Sequence, residues 1–185
     1  MKIVTCAYPP DWSLRETLAL PVFLDQVPPR GNTGRIDFRL RGLISGLALE
    51  ELFEGNGDWL LIDGNRQLAP QIFLSALPDS RELGLDKVSR WLEKTCRKLC
   101  QAGAKNCSLV IGDLFRENFP LKEFSEAIIK ALIGLPLDKV KLYVGTELAE
   151  VLAQEMSRWL AHLKPEQAVE LRVDFLPEFL EDKTE

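Results

Sequence analysis

One stretch, residues 106–132, constrains the fold more than any other. Asn106-Cys107-Ser108-Leu109-Val110-Ile111-Gly112 is an apolar run of strand length. After a short loop, Phe119-Pro120 opens a segment carrying Phe124, Ala127, Ile128, Ala131 and Leu132 at helical spacing. A strand apolar on both faces, followed at once by a helix, is the unit from which helix-covered parallel sheets are built. In such sheets the strand-to-helix loop is where a phosphate is cradled. That loop reads Gly112-Asp113-Leu114-Phe115-Arg116-Glu117-Asn118, with a single glycine, two acids and two bulky apolar side chains. Its composition predicts poor accommodation of phosphate.

The flanking sequence repeats the alternation. Residues 1–8 and Thr17 to Phe23 read as strands, residues 25–35 as a Pro- and Gly-rich loop, and Leu40, Leu43, Ile44, Leu47, Leu52 and Phe53 as one helix stopped by Gly55-Asn56-Gly57. Trp59 to Asp63 and residues 71–76 form a hairpin pattern around Asp63-Gly64-Asn65. A helix over Leu85 to Gln101 places Leu85, Val88, Leu92 and Leu99 on one face, with Arg90, Lys94, Arg97 and Lys98 as its solvated side. Trp91 falls at the edge of the apolar stripe. A strand at 140–144, a helix capped by Thr146 and running to Leu163, and a strand at 169–175 complete the pattern before an acidic tail at 181–185. Seven strands and four helices predict one α/β domain over residues 1–185, a three-layer α/β/α sandwich with a mixed, mostly parallel sheet.

Composition excludes several classes. With 28 acidic against 23 basic residues the net charge is −5, which argues against general attraction to nucleic acid, although a local basic patch is compatible with it. No apolar run approaches the roughly 20 residues of a membrane span, and residues 1–8 are too short for a signal-peptide core, so the expected location is cytoplasmic. The four cysteines are expected as reduced thiols. Cys96 and Cys100 share a helical face, but the only histidine, His162, lies in another helix and Cys107 in a strand, so no metal site is expected. A Cys–His nucleophile fails on the same placement. Glu50-Glu51 and Asp25 with Asp37 read as surface and loop charges. Trp12, Trp59, Trp91 and Trp159 are numerous for a small domain and offer anchors for a protein partner.

Certain segments resemble a known family. Leu18-Ala19-Leu20-Pro21-Val22-Phe23, Arg41-Gly42-Leu43-Ile44-Ser45-Gly46-Leu47 and Phe119-Pro120-Leu121-Lys122-Glu123-Phe124 are similar to the macro-like amino-terminal domain of the leucyl aminopeptidases, over residues 17–163. The metal-binding catalytic half of those peptidases is absent from this sequence. The resemblance implies a macro-domain-like fold and a non-catalytic interaction or regulatory module, with a protein partner or self-association, no cofactor, no nucleic acid and no membrane; a small-molecule ligand is not expected. Two alternatives stand beside it: a macro-type protein binding ADP-ribose or a nucleotide metabolite, and a split subunit of an aminopeptidase. Macro domains hold the ADP-ribose diphosphate with a multi-glycine loop, and only Gly112 survives in the corresponding segment. Arg39, Arg41, Gly42, Gly46, Gly112 and Arg116 are the candidate anion-binding residues.

Overall fold

The computed structural model describes residues 1–12, 16–48, 59–64, 68–77, 79–162 and 169–175. The helix-ending residues 52–57, Glu50-Glu51, Asn65, Leu163 and the acidic tail lie outside them. Seven strands form one sheet: β1 (Lys2–Cys6), β2 (Thr17–Phe23), β3 (Trp59–Asp63), β4 (Gln71–Leu77), β5 (Asn106–Val110), β6 (Lys139–Tyr143) and β7 (Glu170–Asp174), in the order β3-β4-β2-β5-β6-β1-β7. Only β3 runs antiparallel to its neighbour, β4. Among the described residues five helices cover the sheet: α1 (Gly31–Arg39), α2 (Leu43–Leu47), α3 (Leu85–Gln101), α4 (Leu121–Leu132) and α5 (Thr146–Leu160).

Strict alternation along the central strands builds two apolar layers. Ala19, Leu109 and Leu142 face a core shared with α3, α4 and α5. Leu18, Leu20, Val110 and Tyr143 face a second core closed by Ile36 and Ile44 of α1 and α2. The result is the expected three-layer α/β/α sandwich.

Three local readings are corrected. The segment predicted as a loop over residues 25–35 contains the start of α1. Gly34 permits it, because a Cβ there would lie 2.4 Å from the Pro29 carbonyl oxygen. Thr146 is not a helix cap; its hydroxyl donates to the Ala7 carbonyl at 3.0 Å and ties α5 to β1. Trp91 is 3% exposed and belongs to the core rather than its border.

Pro21 shapes the part of the sheet that matters for function. Pairing of β2 with β5 ends at Ala19, whereas pairing with β4 continues to Phe23. Proline has no N–H to extend a ladder. Beyond Ala19 the strands β2 and β5 are no longer hydrogen-bonded to each other, and the start of α1 enters there, with the Thr33 hydroxyl donating to the Pro21 carbonyl at 2.9 Å.

An ion pair lies under the second core. Lys141 Nζ is 3.3 Å from Glu16 Oε1, with side chains only 2% and 12% exposed, and Ser108 donates to the other Glu16 oxygen at 3.4 Å.

Candidate functional site

The carboxyl ends of the parallel strands carry the loops that can bind a ligand. The Gly112–Leu114 turn after β5 sits between two recesses there. On one side a pocket of about 160 Å³ is lined by Pro21, Phe23, Arg30, Gly31, Asp113 and Arg116, among others. On the other side a cleft of about 620 Å³ runs between Gly112, Phe115 and Leu121 and the start of α5 at Gly145, Thr146 and Leu148. The second volume lies within the usual range for a small-molecule site.

The small pocket contains an anion cradle. Asp113 Oδ1 accepts from the Asn32 backbone N–H at 3.0 Å and from Asn32 Nδ2 at 3.1 Å, and Oδ2 accepts from the Thr33 backbone N–H at 2.9 Å. These are first-turn amides of α1, where free N–H groups and the helix dipole favour negative charge. Gly31 makes the approach possible. Its φ is +61°, and a Cβ on it would stand 2.6 Å from Asp113 Oδ1. A bare Cα with two amides aimed at one anion is the geometry that receives phosphate at helix starts. Here the chain's own carboxylate fills it.

The loop is held rigidly around that carboxylate. Arg116 Nη1 donates to the Asp113 and Phe115 carbonyls, both at 2.9 Å, and its guanidinium lies 5.6 Å from the Phe23 ring centroid. Leu114 is fully buried, and Phe115 packs edge-on against Phe124 at 5.3 Å. Gly112 is required for packing, since a Cβ would meet the Val144 carbonyl oxygen at 2.9 Å. At the neighbouring cleft Gly145 has φ +88°, and α5 begins with no side-chain cap. Its first-turn amides border the open volume.

The structure divides the residues singled out in the sequence. Gly112 and Arg116 belong to the loop just described. Arg39, Arg41, Gly42 and Gly46 are exposed around the far end of α1 and the start of α2. Eight residues of helix, about 12 Å, separate Arg39 from Gly31. Gly42, at φ +79°, and Arg41, at φ +58°, make the turn between the two helices. Asp37, paired with Asp25 in the sequence, is buried and accepts from the Ser45 N–H at 3.1 Å, whereas Asp25 accepts from the Ser80 N–H at 2.8 Å. Each organises a different loop. The cradle residues Gly31, Asn32 and Thr33 were missed. Their signal is the Gly31-Asn-Thr-Gly34 spacing, two glycines one turn apart.

The thiols are chemically quiet. Burial pushes Cys6 and Cys107 up to about 12 and Cys96 well above the ordinary thiol value, and raises the half-buried Cys100. The thiolate is the nucleophile and ligand form, so at pH 8 a thiol reagent is expected to label Cys100 slowly and the other three only after unfolding. The sign of the linkage follows. Between pH 9 and about 12 the unfolded chain sheds thiol protons that the folded chain keeps. Stability from these groups is complete below pH 9 and falls through that window, which denaturant titration at stepped pH would read.

No protein-family model matches the chain, and no curated protein sequence matches it. Solved structures do. A substituted form of the Oceanobacillus iheyensis macrodomain aligns with a TM-score of 0.65 at 13% identity, covering 85% of this chain and 91% of the other. The macrodomain of Thermus aquaticus DarG aligns at 0.63 and 14% identity, covering 77% and 97%. A Trypanosoma brucei macrodomain aligns at 0.60 and 13% identity, covering 85% and 66%. These neighbours overturn the resemblance to leucyl aminopeptidases, and with it the reading as a non-catalytic peptidase-derived module. They equally remove the expectation against a small-molecule ligand. The misreading has a physical source: the matched segments, one strand and two helix entries, were hydrophobic patterns with scattered Gly and Pro, which many α/β sheets share. The chain has the macrodomain fold.

Proposed function

We propose that this chain binds ADP-ribose or a closely related nucleotide metabolite at the carboxyl edge of its sheet. The observation that carries the reading is the cradle at Gly31, Asn32 and Thr33, which already holds an anion and adjoins a cleft of nucleotide dimensions on the far side of the Gly112 loop. Two structural neighbours support the ligand class. The Oceanobacillus iheyensis macrodomain was solved with ADP, and a substituted form of it with ADPR, at TM-scores of 0.55 and 0.54.

In this reading the ligand's diphosphate competes with the Asp113 carboxylate for the α1 amides, and the exposed Arg30 guanidinium at the pocket mouth offers the opposing charge. Nucleoside and sugar take the larger cleft, where the uncapped start of α5 supplies further N–H donors. Gly112 and Arg116 shape the loop between them. Arg39, Arg41, Gly42 and Gly46 form a separate exposed group. The same reading treats residues 1–185 as a single domain working in the cytosol; among the described residues no helix is long and apolar enough to cross a membrane.

Calorimetry tests the proposal. ADP-ribose is expected to bind with a dissociation constant on the order of micromolar, adenosine at least about ten-fold more weakly because it brings no phosphate to the cradle. Arg30→Glu is expected to weaken ADP-ribose by about ten-fold with an unchanged melting temperature. Equal affinity for adenosine and ADP-ribose would refute a phosphate-centred site, and absence of heat with either would refute the site altogether.

A further inference from the structure

The two lateral edges of the sheet are finished differently. At one end β7 is guarded by charge, as edge strands usually are. Glu170 and Arg172 are exposed on one of its faces, Glu170 pairs with Lys2 at 3.1 Å, and Arg172 pairs with Asp174. At the other end β3 has no such device. It reads Trp59-Leu60-Leu61-Ile62-Asp63, four apolar residues and one acid, without proline or lysine. Among the described residues no strand pairs with it on its outer side. Trp59 and Leu61 are 44% and 38% exposed. An open apolar edge of this kind is a template for pairing with another chain.

The order of residues along β3 selects its partner. Antiparallel pairing of two copies about a two-fold axis at Leu61 sets Leu61 against Leu61, Leu60 against Ile62, and Trp59 against Asp63 of the second copy. Residues directly opposite have Cβ atoms about 4.5–5.5 Å apart. The Trp59 ring is fixed by stacking on Phe73 at 5.6 Å, and Lys98 Nζ stands 4.8 Å from its centroid. Asp63 of the second copy therefore arrives beside an ammonium group, and the axis repeats the contact. Other registers lose it: an axis at Ile62 sets Asp63 against Leu61, and an axis at Leu60 leaves Asp63 beyond the paired strand. The same operation on β7 would set Arg172 against Arg172, a like-charge pair. Of the two edges, only β3 complements itself.

We propose that two copies of this chain associate through β3, antiparallel about the Leu61 axis, so that one sheet runs through both. The interface is isologous and uses up the open β3 edge of each copy, so assembly closes at two. Leu61 meets its counterpart on the α3 face, and the half-buried Leu60 and Ile62 meet on the other. A contact of one short strand per copy belongs with the weaker specific interfaces, with a dissociation constant on the order of 10 µM. In the sheet order β4 and β2 stand between β3 and β5, the strand that delivers the Gly112 loop. The pairing therefore draws on none of the residues assigned to ADP-ribose.

Sedimentation velocity over about 1 to 300 µM tests it, with monomer expected to give way to dimer and to nothing larger. Hydrogen exchange of the β3 amides should slow as the protein is concentrated. Leu61→Lys places two ammonium groups on the axis and is expected to weaken association at least about ten-fold. Asp63→Lys should weaken it about ten-fold, and adding Lys98→Glu to that variant should recover most of the loss, because the opposed charges are exchanged. The melting temperature of Leu61→Lys, measured at a concentration where the parent is monomeric, and its ADP-ribose calorimetry should match the parent chain, so failure here is distinct from failure of the carboxyl-edge site. Four results would overturn the proposal: a monomer at every concentration, a dimer that Leu61→Lys leaves intact, growth past the dimer, or a charge exchange that recovers nothing.

Discussion

Replacing Asp113 by alanine is expected to make the protein less stable and its ADP-ribose binding tighter. The carboxylate satisfies two backbone amides at the start of α1 and the Asn32 side chain. Losing a capping acceptor of this kind costs about 2 kcal/mol. For a domain of this size the melting temperature should drop by about 5 °C. Binding should move the other way. In the parent chain a phosphate must displace Asp113 and forfeit those hydrogen bonds; in the variant the cradle is empty and cationic in character. A gain of about ten-fold in affinity corresponds to recovering 1.4 kcal/mol of that cost. Asp113→Asn separates the two effects. The amide oxygen still accepts from the α1 amides, so stability should fall less, while the removed charge still eases anion binding. Denaturation monitored by circular dichroism and calorimetry on the three proteins would check both halves. A variant that is destabilised and binds no better would show that the cradle is only a cap.

The second large effect concerns the ion pair beneath the sheet. Glu16→Ala removes the carboxylate that stands 3.3 Å from Lys141 Nζ, a side chain only 2% exposed. Removing one member of a buried pair typically costs 3–5 kcal/mol, about 10 °C or more here. Lys141→Met is expected to be far milder, because methionine fills similar volume and Glu16 remains partly exposed, with Ser108 still donating to it. Urea unfolding of the two single variants and the double variant reads this asymmetry. Equal losses in the two singles would contradict it. The pair bears on function through position: Lys141 lies on β6, opposite Ser108 of β5, the strand that delivers the Gly112 loop.

Most of the scaffold was legible because its signals are local. The β2 and α3 boundaries follow from period and punctuation alone, and the unbroken apolar runs of β2 and β5 identify strands buried on both faces. α1 was not legible in the same way. Its start at Gly31 is fixed by a carboxylate 81 residues away from Asn32, and nothing in the neighbourhood of Pro28-Pro29-Arg30 announces that partner. For the same reason the partner of Asp113 was not visible in the Gly112 loop. Asp113 was read as repelling phosphate; in the fold its carboxylate accepts from the Asn32 and Thr33 amides at the start of α1, the slot that the proposed function assigns to a phosphate. Arg41-Gly42 drew attention as a helix start, and it is one, yet α2 is only five residues long and opens on exposed surface. The basic residues of α3 were read as a solvated face; that they border recesses beside Trp59 depends on β3 and β4 folding back beside that helix.

Amide chemical-shift mapping on addition of ADP-ribose tests the central claim most directly. The account predicts the largest shifts at Gly31, Asn32, Thr33, Gly112, Asp113, Gly145 and Thr146, on both sides of the loop after β5. Shifts confined elsewhere on the surface, or none at saturating ligand, would contradict it.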